Sequence, residues 1–367
     1  MLGAHNIAKR STALLNPQTR ASPINAGSSN PMKTILIDIP IHALSLQKLR
    51  ALENVKVHVV EPAEIVREIP AHLLAETNVL FGGNPPSNLE VATDLEWIQI
   101  SSVGYNQLYG LDLPGRGVRA CNARGVFDPT IAEWNIAMMI NTMRDLRGMV
   151  RNQEHGIWDR TSRFQRELRG LTVGIWGYGG IGRATARLAN AFGMRVHVLA
   201  RNGAGQREDT YLVENTGDPE GSLPDCVYSY NEKSAFLAEL DFLVLAVPQT
   251  PQTEGMIGEA ELKQLKPTAY LLNPARGPLV QEQALLRAIR EEWIAGAALD
   301  THYYYPMPAD HPLWRFPNVI MTPHISGSSD SPHYLERVWD LLITNVQRDL
   351  AGQSLLNELT TAQLTEQ

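Results

Sequence analysis

LTVGIWGYGGIGRATARLANAF, Leu171 to Phe192, is the stretch from which the fold of this chain is read. LTVGIW is an apolar run of strand length, and RATARLANAF sets small apolar residues at helical spacing. Between them, Gly177-Tyr178-Gly179-Gly180-Ile181-Gly182 is a G-x-G-x-x-G. Alone that pattern is weak, because a glycine turn serving only tight packing would also produce it. Between a strand and a helix it reads as the turn of a dinucleotide-binding unit. Glycine permits the turn and a close backbone approach, and leaves the helix N-terminus free to hold a pyrophosphate. Gly177, Gly179, Gly180, Ile181 and Gly182 are therefore cofactor-binding candidates.

Downstream, the strand-like runs continue with RVHVLA from Arg195, DFLVLAV from Asp241, AYLLN from Ala269, IAGAALD from Ile294 and NVIMT from Asn318. Six such runs spaced by helices predict a complete doubly wound domain. The glycine- and proline-rich segment from Asn202 to Leu240 reads as a surface insertion beside the second strand. Upstream, TILIDI at Thr34, KVHVV at Lys56, NVLF at Asn78, EWIQI at Glu96 and GVRAC at Gly117 predict a first parallel α/β unit covered on both faces. A long helical stretch from Pro129 to Met149 joins the two, and a last one, Tyr334 to Leu350, is free to return onto the first unit. The apolar density of Ile131 to Met143 suits either a dimer interface or the core between the units.

The 367 residues are enough for two ordinary domains. Lys+Arg 32 against Asp+Glu 39 gives a net charge of -7, which argues against nucleic-acid or membrane-surface partners, since these require a broad basic face. No apolar run approaches the roughly 20 residues that span a bilayer. Cys121 and Cys226 are too few for a disulfide framework or a cysteine-built metal site. The expectation is a cytoplasmic protein in a reducing compartment, with no metal. Met1 to Pro31 carry Lys9, Arg10 and Arg20 but no acid, as organelle targeting segments do. A disordered tail or a start placed too early is preferred, because Met32-Lys33 opens directly into TILIDI.

Ligands of open α/β sheets bind beyond the carboxyl ends of the strands. In the second unit those positions hold the glycine turn, Arg201, Pro248-Gln249-Thr250, Pro274-Ala275-Arg276-Gly277, Asp300 and Pro323-His324. An acid at the end of the second strand would bind the adenosine ribose and mark NAD; here Ala200 and Arg201 stand there. No charge repels a 2'-phosphate and Arg201 can bond one, so NADP is favoured, with NAD possible. An ordinary solvated arginine is the competing account.

These motifs together resemble the D-isomer-specific 2-hydroxyacid dehydrogenases. GYGGIG, NPARG at Asn273 to Gly277, AALD at Ala297 to Asp300, ADHPLW at Ala309 to Trp314, PNVIMTPH at Pro317 to His324 and SVGYNQL at Ser102 to Leu108 match that family's signatures in order, over roughly Thr34 to Leu350. The resemblance implies two Rossmann-like doubly wound parallel-sheet domains with the active site in the cleft between them, and a homodimer. The expected division is a substrate-binding, flavodoxin-like domain at 32–135 plus 327–360 and a dinucleotide-binding domain at 136–326, after a tail at 1–31.

Reduction of a 2-keto acid needs a cation for the carboxylate and carbonyl, a proton donor and a hydride. Arg276 suits the first task, with a planar fork that stays charged. His324 suits the second, because imidazole titrates near neutrality; alone it would read as a structural histidine. By resemblance Asp300, Pro248, Pro274 and Ala275 face the cofactor, a turn or helix-cap role being the alternative for Asp300. Backbone N–H groups around Val103 and Gly104 would meet the substrate carboxylate, with Tyr105 and Asn106 lining the cleft. Arg124 could add a cation for a second acidic group. The implied substrate is a small 2-keto or 2-hydroxy acid of the glyoxylate or hydroxypyruvate kind.

One position departs from the family: the Glu expected five residues beyond Asp300 is replaced by Tyr305. A phenol can orient His324 but cannot stabilise imidazolium as a carboxylate does, so His324 is expected to titrate lower than in relatives. Three outcomes stay open: a dehydrogenase with an altered pH profile, one that recruits Asp310 or Asp330, or a dinucleotide-binding regulatory protein of the same fold with little turnover. Transcriptional corepressors with this fold exemplify the last. Formate or phosphite oxidation would also use an Arg and a His, but no residue points to it.

Overall fold

The computed structural model describes residues 31–63, 65–207 and 210–365. The tail expected at 1–31 therefore lies almost entirely outside the described residues. Five parallel strands form the first sheet: β1 (Lys33–Asp38), β2 (Val55–Val59), β3 (Val79–Gly82), β4 (Trp97–Ile100) and β5 (Arg119–Cys121), in the order β2-β1-β3-β4-β5. β1, β3 and β4 are buried almost throughout, as strands covered on both faces must be. Helices α1 (Ala43–Arg50) and α2 (Ala71–Leu74) belong to this half.

A long connection follows. α3 (Asp128–Arg144) and α4 (Leu146–Glu154) replace the single helix expected from Pro129 to Met149. The break is at Asp145, which adopts φ 43°, ψ 51° and accepts the Gly148 N–H, starting a new helix instead of continuing the old one. Ile136, Met139 and Met143 of α3 pack into the core under the second sheet with Val173, Ile175 and Val244. Core burial thus accounts for that part of the apolar density.

The second sheet has seven parallel strands in the order β12-β11-β10-β9-β6-β7-β8: β6 (Thr172–Trp176), β7 (Arg195–Leu199), β8 (Cys226–Tyr228), β9 (Phe242–Leu245), β10 (Tyr270–Asn273), β11 (Gly296–Leu299) and β12 (Val319–Met321). Helices α5 (Gly180–Ala191), α6 (Lys233–Ala238), α7 (Glu259–Leu262) and α8 (Glu282–Arg290) connect them. β8 corrects the reading of 202–240 as one insertion. It is a three-residue edge strand with Cys226 and Val227 exposed, too short and too wet to carry an apolar signal.

The rest of that segment is no loose surface loop either. Arg183 of α5 is buried and donates to the carbonyls of Tyr178, Ala204, Gly205 and Asp218, while the Tyr178 hydroxyl donates to Asp218 at 2.6 Å. Further along, Tyr211 enters the core of the first sheet and donates its hydroxyl to Asp340 at 3.0 Å and its N–H to Asn357 at 3.3 Å. The segment is a strap fastened to both halves.

α9 (Pro332–Leu350) returns to the first sheet, as its position after the last strand suggested. Trp339 is fully buried there, edge-on to Phe81 at 5.6 Å, with its indole N–H on the Pro40 carbonyl. A short α10 (Thr361–Leu364) lies near the end of the described residues. Two doubly wound parallel sheets are thus present, as expected, and no described helix is long and apolar enough to cross a membrane.

Candidate active site

Beyond β6 the chain turns through Gly177 at φ 102°, a conformation that favours glycine. A Cβ there would lie 2.5 Å from the Ala246 carbonyl oxygen, and one on Gly182 would lie 2.3 Å from that of Gly177. These glycines let strand, turn and helix pack closely. Gly179 differs. It is the N-cap of α5, no side chain caps it, and a Cβ there would meet only a guanidinium nitrogen of Arg207 at 3.9 Å. Open space at an uncapped helix N-terminus fits a dinucleotide pyrophosphate. Gly180 abuts Asp128, whose carboxylate would overlap any Cβ at that position, and Ile181 beside it is half-buried. Arg201 and Pro248, after β7 and β9, are exposed at the same edge of the sheet.

After β10, buried Asn273 shapes the turn that carries Arg276. Its amide donates to the Arg276 carbonyl at 2.8 Å and its oxygen accepts the Ala275 N–H at 3.1 Å, with Pro274 buried between. A Cβ on Gly277 would come within 2.4 Å of the His302 backbone, so this turn packs directly on the loop leading to Tyr305. The guanidinium bonds the Ala275 carbonyl at 2.7 Å, and its other terminal nitrogen lies 3.1 Å from where a Gly104 Cβ would stand. Arg276 thus reaches from the second sheet to the loop beyond β4 of the first.

That loop is held by its carbonyls: Asn122 donates to Val103 at 2.8 Å and Ser102 to Gly104 at 2.7 Å. Among the described residues, the N–H groups of Val103 and Gly104 donate to nothing. Two idle amides beside a guanidinium make a carboxylate-binding surface. Tyr105 stands next to them, half-buried and edge-on to Tyr109 at 6.0 Å, and Asn106 is exposed.

His324 follows β12 with φ 58°, an uncommon left-handed conformation for a side chain of its size. Asp300 supplies the restraint. Its carbonyl accepts the His324 N–H at 2.7 Å, and its carboxylate accepts the Thr322 hydroxyl at 2.6 Å and the N–H groups of Ile325 at 2.9 Å and Ser326 at 3.0 Å. Asp300 is 0% exposed, and its carboxylate organises the histidine loop. Trp134 of α3 braces the loop, its indole N–H donating to Thr322 at 3.1 Å.

Tyr305 completes the arrangement. Its oxygen accepts the His302 N–H at 3.2 Å and lies 3.1 Å from His324 Nδ1, from which it accepts a hydrogen bond when that nitrogen carries its proton and Nε2 is left to face the substrate. Burial, then the neighbouring Arg276 charge and His302, push the His324 pKa below its ordinary value, while Asp300 acts in the opposite sense. The nearby carboxylate charge is therefore Asp300, not Asp310 or Asp330. Tyr305→Glu places an acceptor at Nδ1 and stabilises imidazolium, so the pH limb governing reduction moves upward by about 1 unit or more. An unmoved limb in a pH-rate profile rules out the pairing.

Residues 136–326 match the model of the D-isomer specific 2-hydroxyacid dehydrogenase NAD binding domain. The chain belongs to that family. It is 30% identical to a glyoxylate reductase of Thermofilum pendens over 269 residues, 72% of this chain and 75% of the relative. It is 32% identical to glyoxylate/hydroxypyruvate reductase B of Yersinia pestis over 249 residues, 67% and 72% of the two chains. A D-isomer specific 2-hydroxyacid dehydrogenase family protein from Aeromonas salmonicida superposes with a TM-score of 0.73 at 27% identity, covering 90% of this chain and 99% of that one.

The family signatures located the glycine turn, Arg276, His324 and Tyr305, and the fold draws the last three together. What motif reading missed are the braces: Asn273 under Arg276, Trp134 and Thr322 behind His324, and Asn122 under Val103. Asn273 and Thr322 lay inside quoted motifs; Trp134 and Asn122 carry no local signal, since each acts on a residue far away in sequence.

Proposed function

We propose that this chain is an NAD(P)H-dependent reductase of small 2-keto acids, of glyoxylate or hydroxypyruvate type, with NADPH preferred. The observation that carries this reading is the meeting of three groups from separate elements: the Gly104 amide, the Arg276 guanidinium 3.1 Å from the Gly104 Cβ position, and His324, whose titration the same guanidinium depresses. The amides of Val103 and Gly104 with Arg276 hold the substrate carboxylate. Arg276 also draws electron density from the C2 carbonyl, and His324 delivers a proton to the forming alkoxide from Nε2 while Nδ1 faces Tyr305. The bound dinucleotide supplies the hydride. In the reverse direction neutral His324 accepts the hydroxyl proton.

Preference for NADPH rests on exposed Arg201 following Ala200, where a cation and no acid await a 2'-phosphate. A homodimer is part of the same reading: Val150 on α4 and Ile157 and Trp158 just after it are 54%, 57% and 89% exposed, an apolar surface for a second copy to cover. The deciding experiment is a spectrophotometric panel of 2-keto acids with NADPH and NADH side by side. Glyoxylate or hydroxypyruvate turnover is expected, faster at low cofactor with NADPH, and Arg201→Ala narrows the difference by about tenfold. Dinucleotide binding without turnover of any keto acid would instead favour the regulatory alternative.

A further inference from the structure

Asp128, the first residue of α3, is 5% exposed and seated against Gly180 at the mouth of the glycine turn. Burial raises its pKa to about 6, against the opposing pull of two guanidinium groups, Arg207 and Arg124. Those arginines come from opposite sides. Arg124 follows β5 of the first sheet, is half-buried, and its Nε is buried with no hydrogen-bond partner. Arg207 stands on the strap, between the Arg183 clamp on Ala204 and Gly205 and the anchorage of Tyr211 in the other core. Arg207 is the leading charge that lowers the Arg124 pKa, after burial itself. Arg207 is also the group nearest the open position at Gly179, 3.9 Å away.

Two guanidinium charges face one carboxylate at an uncapped helix N-terminus, so the site carries surplus positive charge as it stands. A half-buried surplus of cations with an idle donor is stabilised when an anion comes to it. We propose that Arg124 and Arg207 form a two-sided clamp on the dinucleotide pyrophosphate, one jaw from each half of the molecule, with Asp128 as the internal counter-charge that keeps both jaws in place. The clamp rests on the reading of the chain as a dinucleotide-dependent reductase. It assigns Arg124 to the cofactor rather than to a second acidic group of the substrate. It also gives the strap a purpose: by fastening to both sheets it holds Arg207 over the turn, where Gly180 itself offers no side chain.

The test is direct titration of the full-length protein with NADPH and with NADH, followed by nicotinamide fluorescence. Arg207→Ala is expected to weaken both cofactors by a similar factor, about tenfold or more, because the pyrophosphate is common to both, and Arg207→Lys recovers part of the loss. Arg124→Ala does the same while leaving the keto-acid KM at saturating cofactor unchanged. Arg201→Ala weakens NADPH alone. An Arg207→Ala protein that melts at the parental temperature and binds both cofactors unchanged overturns the clamp, as does a loss confined to NADPH, which would place Arg207 on the 2'-phosphate. A raised keto-acid KM with unchanged cofactor affinity in Arg124→Ala overturns that jaw. If the unaltered protein binds neither cofactor, the reductase reading itself fails, an outcome separate from all of these.

Discussion

His324→Asn lowers kcat for keto-acid reduction by about 10²- to 10⁴-fold, the range expected when a positioned proton donor is removed. Asparagine keeps the size and polarity of the site, and the loop is held mainly through the Asp300 carboxylate and backbone, so folding and cofactor affinity stay close to those of the parent. The pH behaviour of the parent follows from the same side chain. Reduction needs imidazolium, and burial with the Arg276 charge lowers the pKa of His324 below its ordinary value of 6.5. Reduction therefore falls as pH rises through that depressed pKa, and the loss begins below pH 6.5. Oxidation of the hydroxy acid needs the neutral ring and gains over the same interval. Stopped-flow or steady-state profiles in both directions measure this; identical profiles for parent and His324→Asn would remove His324 from the chemistry.

Arg276→Ala is expected to lower kcat/KM by about 10³-fold or more. Two effects add: charge-assisted hydrogen bonds to the substrate carboxylate, about 1.5–3 kcal/mol each, and stabilisation of the developing alkoxide, about 3 kcal/mol. Arg276→Lys restores charge without the planar fork and recovers only part of the rate, mostly in KM. Because the guanidinium also depresses the His324 pKa, residual activity of Arg276→Ala shows its reduction limb at higher pH than the parent. Residual kcat/KM within tenfold of the parent would refute the role of Arg276. The two variants also discriminate between reductase and regulatory protein: both are informative only if the parent turns over, and a parent that binds dinucleotide without turnover leaves neither with an effect.

The strands were legible because each is an unbroken apolar run bounded by turn residues, and a parallel sheet buried on both faces leaves little else that such runs can do. The glycine turn was legible because its constraint is local: Gly177 and Gly182 are required by backbone atoms a few residues away. The family motifs extended that reading to Arg276, His324 and Tyr305, since a residue at a strand end travels with its neighbours in the motif. β8 escaped notice because an exposed edge strand of three residues buries too little to be patterned. The break at Asp145 escaped because a single left-handed residue leaves the helical periodicity on either side intact.

Sequence alone settled, then, what depends on nearest neighbours along the chain: two α/β sheets, a glycine turn between strand and helix, and an arginine and a histidine at one sheet edge. Only the tertiary structure could decide what depends on residues distant in sequence: that Asp300 holds the His324 loop, that the glycine-rich segment is a strap rooted in two cores, and that Asp128 and Arg207 stand beside Gly180 and Gly179 at the turn. Hydrophobic periodicity records how a segment is buried, whereas a charge or hydrogen bond acts through space and leaves no spacing rule behind.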